Sequence, residues 1–99
     1  MTTQQRLDCL LKHLDSLAET QGQGVALNEN DVELLKRQCG FRNHHEIAFY
    51  IRSLGERRLV IDGCAGDDTI LQARITIDGY CYLDKLEDES GSVTGKFVV

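Results

Sequence analysis

The sequence predicts a single α+β domain, mostly helical, with a three-helix core, a β-hairpin and a short C-terminal helix. Three observations carry that reading. Four stretches place apolar residues at helical spacing, each behind a residue of the kind that caps helices. Two runs rich in β-branched and large apolar residues, Leu59 to Cys64 and Ile70 to Thr76, flank a five-residue turn. Ninety-nine residues, 41% hydrophobic and 27% charged, build one packed core but not two.

Leu7, Leu10, Leu11, Leu14, Leu17 and Ala18 recur at helical spacing, with Arg6, Asp8, Lys12, Asp15 and Glu19 on the other side. This predicts an amphipathic helix over Thr3 to Glu19, capped by Thr2 with Gln5 as its capping-box partner. Gln21-Gly-Gln-Gly24 stops it, because two glycines in four residues are costly inside a helix. Val25 to Leu27 reads as a short strand. A second helix opens near Asn28 or Asn30, the latter with Glu33 three residues on, and runs through Val32, Leu35 and Cys39 to Gly40. Asn43-His-His-Glu46 repeats the cap pattern and opens a third helix that ends at Gly55.

On that third helix Ile47, Tyr50, Ile51 and Leu54 stand at i, i+3, i+4 and i+7 and mark the core face. His45, Phe49, Arg52 and Glu56 therefore point away from it. The hairpin strands follow, joined by Ala65-Gly-Asp-Asp-Thr69, so the tip is acidic. Thr76 with Asp78 behind it looks like a cap with acid in the first turn, leading into a last helix over Tyr80 to Asp88 with Leu83 and Leu86 inward. From Ser90 the pattern fails. Residues 1–89 are thus the expected domain and residues 90–99 a tail, in which Phe97-Val-Val99 is apolar enough to pair or to pack on a partner.

Sixteen acidic against eleven basic residues give a formal net charge of −5, which argues against a generic polybasic binder of nucleic acid or membrane. Met1-Thr-Thr-Gln-Gln has neither a basic n-region nor an apolar h-region, and no apolar run approaches the ~18 residues of a membrane helix. A soluble, cytoplasmic protein without a membrane partner is expected. Cys9, Cys39, Cys64 and Cys81 are scattered without a CxxC, so four reduced thiols are expected rather than disulfides or a metal centre. Cys9 and His13 stand at i and i+4, a spacing that can set two ligands on one face, but no second pair is identifiable. No cofactor is expected. The chain has no GxSxG, Walker loop, HExxH or paired carboxylates, so an enzyme is not expected either.

Helix, short strand, helix, tight turn, helix, hairpin, helix is the order of a winged helix-turn-helix domain, and the chain resembles that superfamily over about residues 3–88. DVELLKRQCGFRNHHEIAFYIRSLGERRLVI, residues 31–61, looks like the helix-turn-helix and the first wing strand. ARITIDGYCYLDKL, residues 73–86, resembles the return strand and the "ITxxGxxYL" helix start of small prokaryotic and phage winged-helix proteins. The resemblance implies a third helix in the major groove and a wing against the backbone or minor groove.

Charge is distributed in a way that agrees with this. Residues 1–35 carry a net of −4 and residues 59–99 a net of −5, whereas residues 36–58 carry six basic and two acidic groups, a net of +4. Affinity for phosphate depends on the field at the site rather than on overall charge. The expected function is that of a transcriptional regulator, binding duplex DNA as a dimer. Arg42, Asn43, His44, His45 and Arg52 would meet the groove, and Lys36, Arg37, Arg57 and Arg58 would contact phosphates. Arg52 and Asn43 suit base-edge hydrogen bonds, and protonation of His44 and His45 should tighten binding on acidification. The basic run also reads as a solvated face paired with nearby acids.

Two features favour an interaction module with a protein partner instead. Asp67 and Asp68 at the wing tip would repel phosphates. Phe49 lies in the middle of the outward face of the third helix, where an aromatic suits a protein-interface anchor as well as a thymine contact. A rotated helix would instead pack Phe49 under the first helix or the wing.

Overall fold

Each helix begins at a side chain that answers a free backbone N–H. In a computed structural model of the chain, which describes residues 1–22 and 24–88, helix α1 spans Thr3–Gln21 behind the expected reciprocal box of Thr2 and Gln5. Helix α2, Glu29–Cys39, is capped by Asn28 rather than Asn30. The Asn28 side chain accepts from Asp31 N–H at 2.8 Å and the Asp31 carboxylate accepts from Asn28 N–H at 3.0 Å, so the shorter acid closes the box and Glu33 is left to pair with Lys36. Helix α3, His44–Glu56, starts at Asn43 as expected. Helix α4, Ile77–Glu87, starts at once behind Thr76, three residues earlier than Tyr80.

Strands β1 (Gly24–Ala26), β2 (Val60–Asp62) and β3 (Gln72–Ile75) form an antiparallel sheet in the order β1-β3-β2. Val25 faces Ala73 and Val60 faces Ile75, which puts these four apolar side chains on the buried face. Both hairpin strands are shorter than their β-branched runs. The connection grows to Gly63–Leu71 because Asp62, Ala65 and Asp67 organise turns within it.

The core lies between this sheet and the helices. Leu7, Leu10, Leu11 and Leu14 of α1 pack with Leu35 of α2, with Ile47, Ile51 and Leu54 of α3 and with Leu83 of α4, all buried. Ala48 joins them on α3 beside the four expected residues. Between α2 and α3 the chain turns on Gly40, whose left-handed φ of 76° suits a residue without Cβ. Phe41 is buried behind that turn, edge-on to Tyr50 at 5.0 Å, and so fixes the approach of α3 to α2.

Thr76 closes the far end. Its hydroxyl donates to Arg58 O at 2.7 Å and accepts from Gly79 N–H at 3.0 Å, joining the end of α3 to the start of α4. Gly79 is needed there, since a Cβ would collide with the Leu59 carbonyl oxygen.

The expectation of four reduced thiols is corrected. Cys9 and Cys39 are joined by a disulfide between α1 and α2, with Cα atoms 5.8 Å apart, while Cys64 and Cys81 are free. The two residues are 30 apart in sequence, and only the packing of α1 on α2 makes them neighbours. The tail from Ser90, with Phe97, lies outside the described residues.

Candidate nucleic-acid interface

The outward face of α3 is built by the periodicity that buries its other side. With Ile47, Tyr50, Ile51 and Leu54 in the core, His45 and Phe49 are exposed and Arg52 is half-buried at the edge of the hairpin. Phe49 is 64% exposed, its ring edge-on to Tyr50 at 5.9 Å; it does not pack under α1 or the hairpin.

The hairpin tip folds back onto this face. Asp68 has a left-handed φ of 64°, which a short polar side chain tolerates, and it turns its carboxylate toward α3. One oxygen accepts from Arg52 Nη2 at 2.6 Å and the other lies 2.8 Å from His45 Nδ1. The same Arg52 nitrogen donates to Ala65 O at 2.9 Å, and its Nε lies 3.9 Å from Asp62. Arg52 therefore holds the hairpin at its strand end and at its tip. The bonds from His45 first, and then from Arg52, hold the Asp68 carboxyl below the usual carboxylate range; Asp68 in turn raises the Arg52 guanidinium above its ordinary value. Asp67 is also lowered, by the Thr69 hydroxyl and N–H, and stays on the outer side of the tip.

The other expected contacts are distributed unevenly. Asn43 uses its side-chain oxygen on Glu46 N–H at 2.9 Å, so the helix cap occupies the group expected to read adenine. Arg42 is exposed just before the helix start, its side chain 83% accessible with Glu46 at 3.8 Å. His44 is exposed and its ring faces that of His45 at 4.0 Å. Lys36 pairs with Glu33 at 3.2 Å, and Arg57 donates to Gln4 at the start of α1 at 3.1 Å. Arg37 and Arg58 are exposed. The structure thus brings His45 and Arg52 together on one anion and leaves Arg37, Arg42 and Arg58 open to solvent.

Beside the tip is a cleft of about 370 Å³ lined by Glu29, Glu33, Asp68 and His44 among apolar residues of α2 and the hairpin. Its carboxylates make it unsuited to phosphate. Sequence reasoning missed both this cleft and the return of Asp68 to α3; the sole signal was an acidic pair in a turn, which says nothing of where the turn folds.

Comparison with protein-family models, with curated proteins and with solved structures returns no match. The functional reading therefore rests on the residues of this chain. Among the described residues no helix is long and apolar enough to cross a membrane.

Proposed function

We propose that this chain is a winged-helix protein that binds duplex DNA through α2 and α3, with the wing tip as an internal competitor for the groove-facing cations. The observation that carries the reading is the double grip of His45 and Arg52 on one carboxylate of Asp68. Two side chains on one helix face, a guanidinium and an imidazole, converge on a single anion, which is the arrangement a phosphate would meet. The strand order β1-β3-β2 and the four-residue turn between α2 and α3 support the winged-helix assignment. Lys36, Arg37, Arg57 and Arg58 supply phosphate contacts, and the exposed Arg42 and His44 approach the groove.

Mobility shifts and salt titrations on random duplex test this. About four phosphate contacts give a slope of log K against log[salt] near −3.6, and exchanging Asp68 for phosphate at His45 and Arg52 steepens it by about 0.9 for each further phosphate neutralised. Asp68→Asn should therefore bind more tightly than wild type and with a steeper slope. Absence of binding below ~100 μM at low salt in both proteins overturns the reading, since even non-specific binders reach that range.

A second reading has its own support in Phe49, a large apolar side chain 64% exposed at the centre of α3. On that reading α3 docks a protein, and Phe49→Ala costs ~2 kcal/mol or more of partner affinity while leaving DNA binding little changed.

A further inference from the structure

The seam between α1 and α2 holds a chemical grouping that the DNA-binding reading does not use. Cys9 and His13 are one turn apart on α1, and α2 ends by placing Cys39 against them. The two sulfurs and a ring nitrogen of His13 all lie within 4.8 Å of one another. We propose that when the two cysteines are reduced, Cys9, Cys39 and His13 bind a single zinc ion.

Several observations carry this. The donor set is two thiolates and an imidazole, the borderline-soft combination that zinc takes, and the three atoms would fill three corners of a tetrahedron with the fourth open to water. Zinc–sulfur bonds of about 2.3 Å and a zinc–nitrogen bond of about 2.0 Å require ligand atoms about 3.5–3.8 Å apart; the His13 nitrogen lies within 4.8 Å of both sulfurs, and the sulfurs, bonded to each other in the oxidised chain, separate to that distance once reduced. The i and i+4 spacing fixes Cys9 and His13 on one face of α1, the face that meets Cys39. Cys39 is fully buried, Cys9 and His13 are half-buried, and His13 also borders a cavity of about 270 Å³ between α1 and α2.

The chemistry balances without any group from elsewhere in the chain. Two molecules of a monothiol reductant give up two electrons and two protons to the disulfide, leaving two cysteine thiols and one reductant disulfide. Zinc then displaces the two thiol protons to solvent and is held as a neutral bis-thiolate imidazole centre. The disulfide and the zinc site are alternative states of one seam.

The test uses the full chain carrying Cys64→Ser and Cys81→Ser, reduced with a phosphine that is then removed without admitting air. Titration with Co²⁺ as the spectroscopic stand-in should saturate at one equivalent. Thiolate-to-cobalt charge transfer should appear in the near ultraviolet with the visible bands of a tetrahedral centre, and Zn²⁺ should discharge both. His13→Gln should weaken the metal by at least about tenfold, and Cys39→Ser should remove most of the charge-transfer intensity. The oxidised chain should bind none. A reduced chain without charge transfer, or a His13→Gln variant of unchanged affinity, overturns the proposal. If reduction unfolds the chain, zinc must restore its helical circular dichroism, and a chain still unfolded with zinc overturns it equally.

Discussion

The α1–α2 seam and the contact of α3 with the hairpin tip join their elements by opposite means. Along the first, Leu10, Leu11 and Leu14 bury against Leu35 and a covalent bond closes the end. At the second, one carboxylate meets an arginine and a histidine near solvent. Apolar burial and a disulfide are not weakened by charge screening and cannot be displaced by an outside anion, whereas a charge contact at the surface is screened and can be exchanged for another anion. The first region therefore sets the body of the domain, and the second can answer a ligand. The difference predicts that reductant acts on one region and that pH and salt act on the other.

The largest effect should come from opening the seam. A disulfide closing a loop of 30 residues stabilises by about 3.5 kcal/mol on the loop-entropy account. Cys39→Ser should lower the urea-unfolding free energy by about that amount under oxidising conditions, and reductant in metal-free buffer should bring wild type down to the same value. A wild-type midpoint that ignores reductant would show that the bond contributes nothing.

The base of the hairpin is held by packing, and Gly79→Ala tests it. The added methyl would press on the Leu59 carbonyl and on the Ile75 side chain, so a loss of about 1–3 kcal/mol is expected in the same unfolding assay. A loss within experimental error would mean that α4 can move away from β2 freely.

A smaller effect separates the two candidate caps of α2. Asn28→Ala should cost about 1 kcal/mol and Asn30→Ala less than about 0.5, because only Asn28 answers a backbone N–H there. Equal losses would assign the cap wrongly.

Least costly should be the release of the tip. Asp68→Asn should leave global unfolding nearly unchanged while amide exchange at Asp67 to Ile70 accelerates. The pH response has a definite sign. The folded carboxyl titrates below its ordinary 3.8, so the stabilisation is complete above that value and disappears as pH falls through the folded one. Tip exchange in wild type should approach that of Asp68→Asn only in acid, and high salt should narrow the gap at neutral pH. Protection that persists in acid would locate the tip by its backbone turns instead.

Much of the fold was legible because it is written in short-range chemistry. The leucines of α1, the caps at Thr2, Asn43 and Thr76, the stop at Gly40 and the core face of α3 each depend on residues within one or two turns. The errors have the same origin. Asn30 with Glu33 satisfies the cap pattern as well as Asn28 with Asp31, and both β-branched runs continue past the residues that pair. Of the candidate site, the exposure of Phe49 and His45 was readable from periodicity, and so was the occupation of Asn43 by its own helix.

What the sequence determined by itself is an acidic, mostly helical α+β chain with a basic segment at residues 36–58 and an acidic hairpin tip. The tertiary structure alone decided the partnerships. It set Asp68 against Arg52 and His45, 16 and 23 residues away, and it brought Cys39 to Cys9 and His13. Helical periods and caps follow from backbone geometry over a few residues, so they survive in any context. Which charges and sulfurs meet depends on how the layers pack, and that is a property of the whole core.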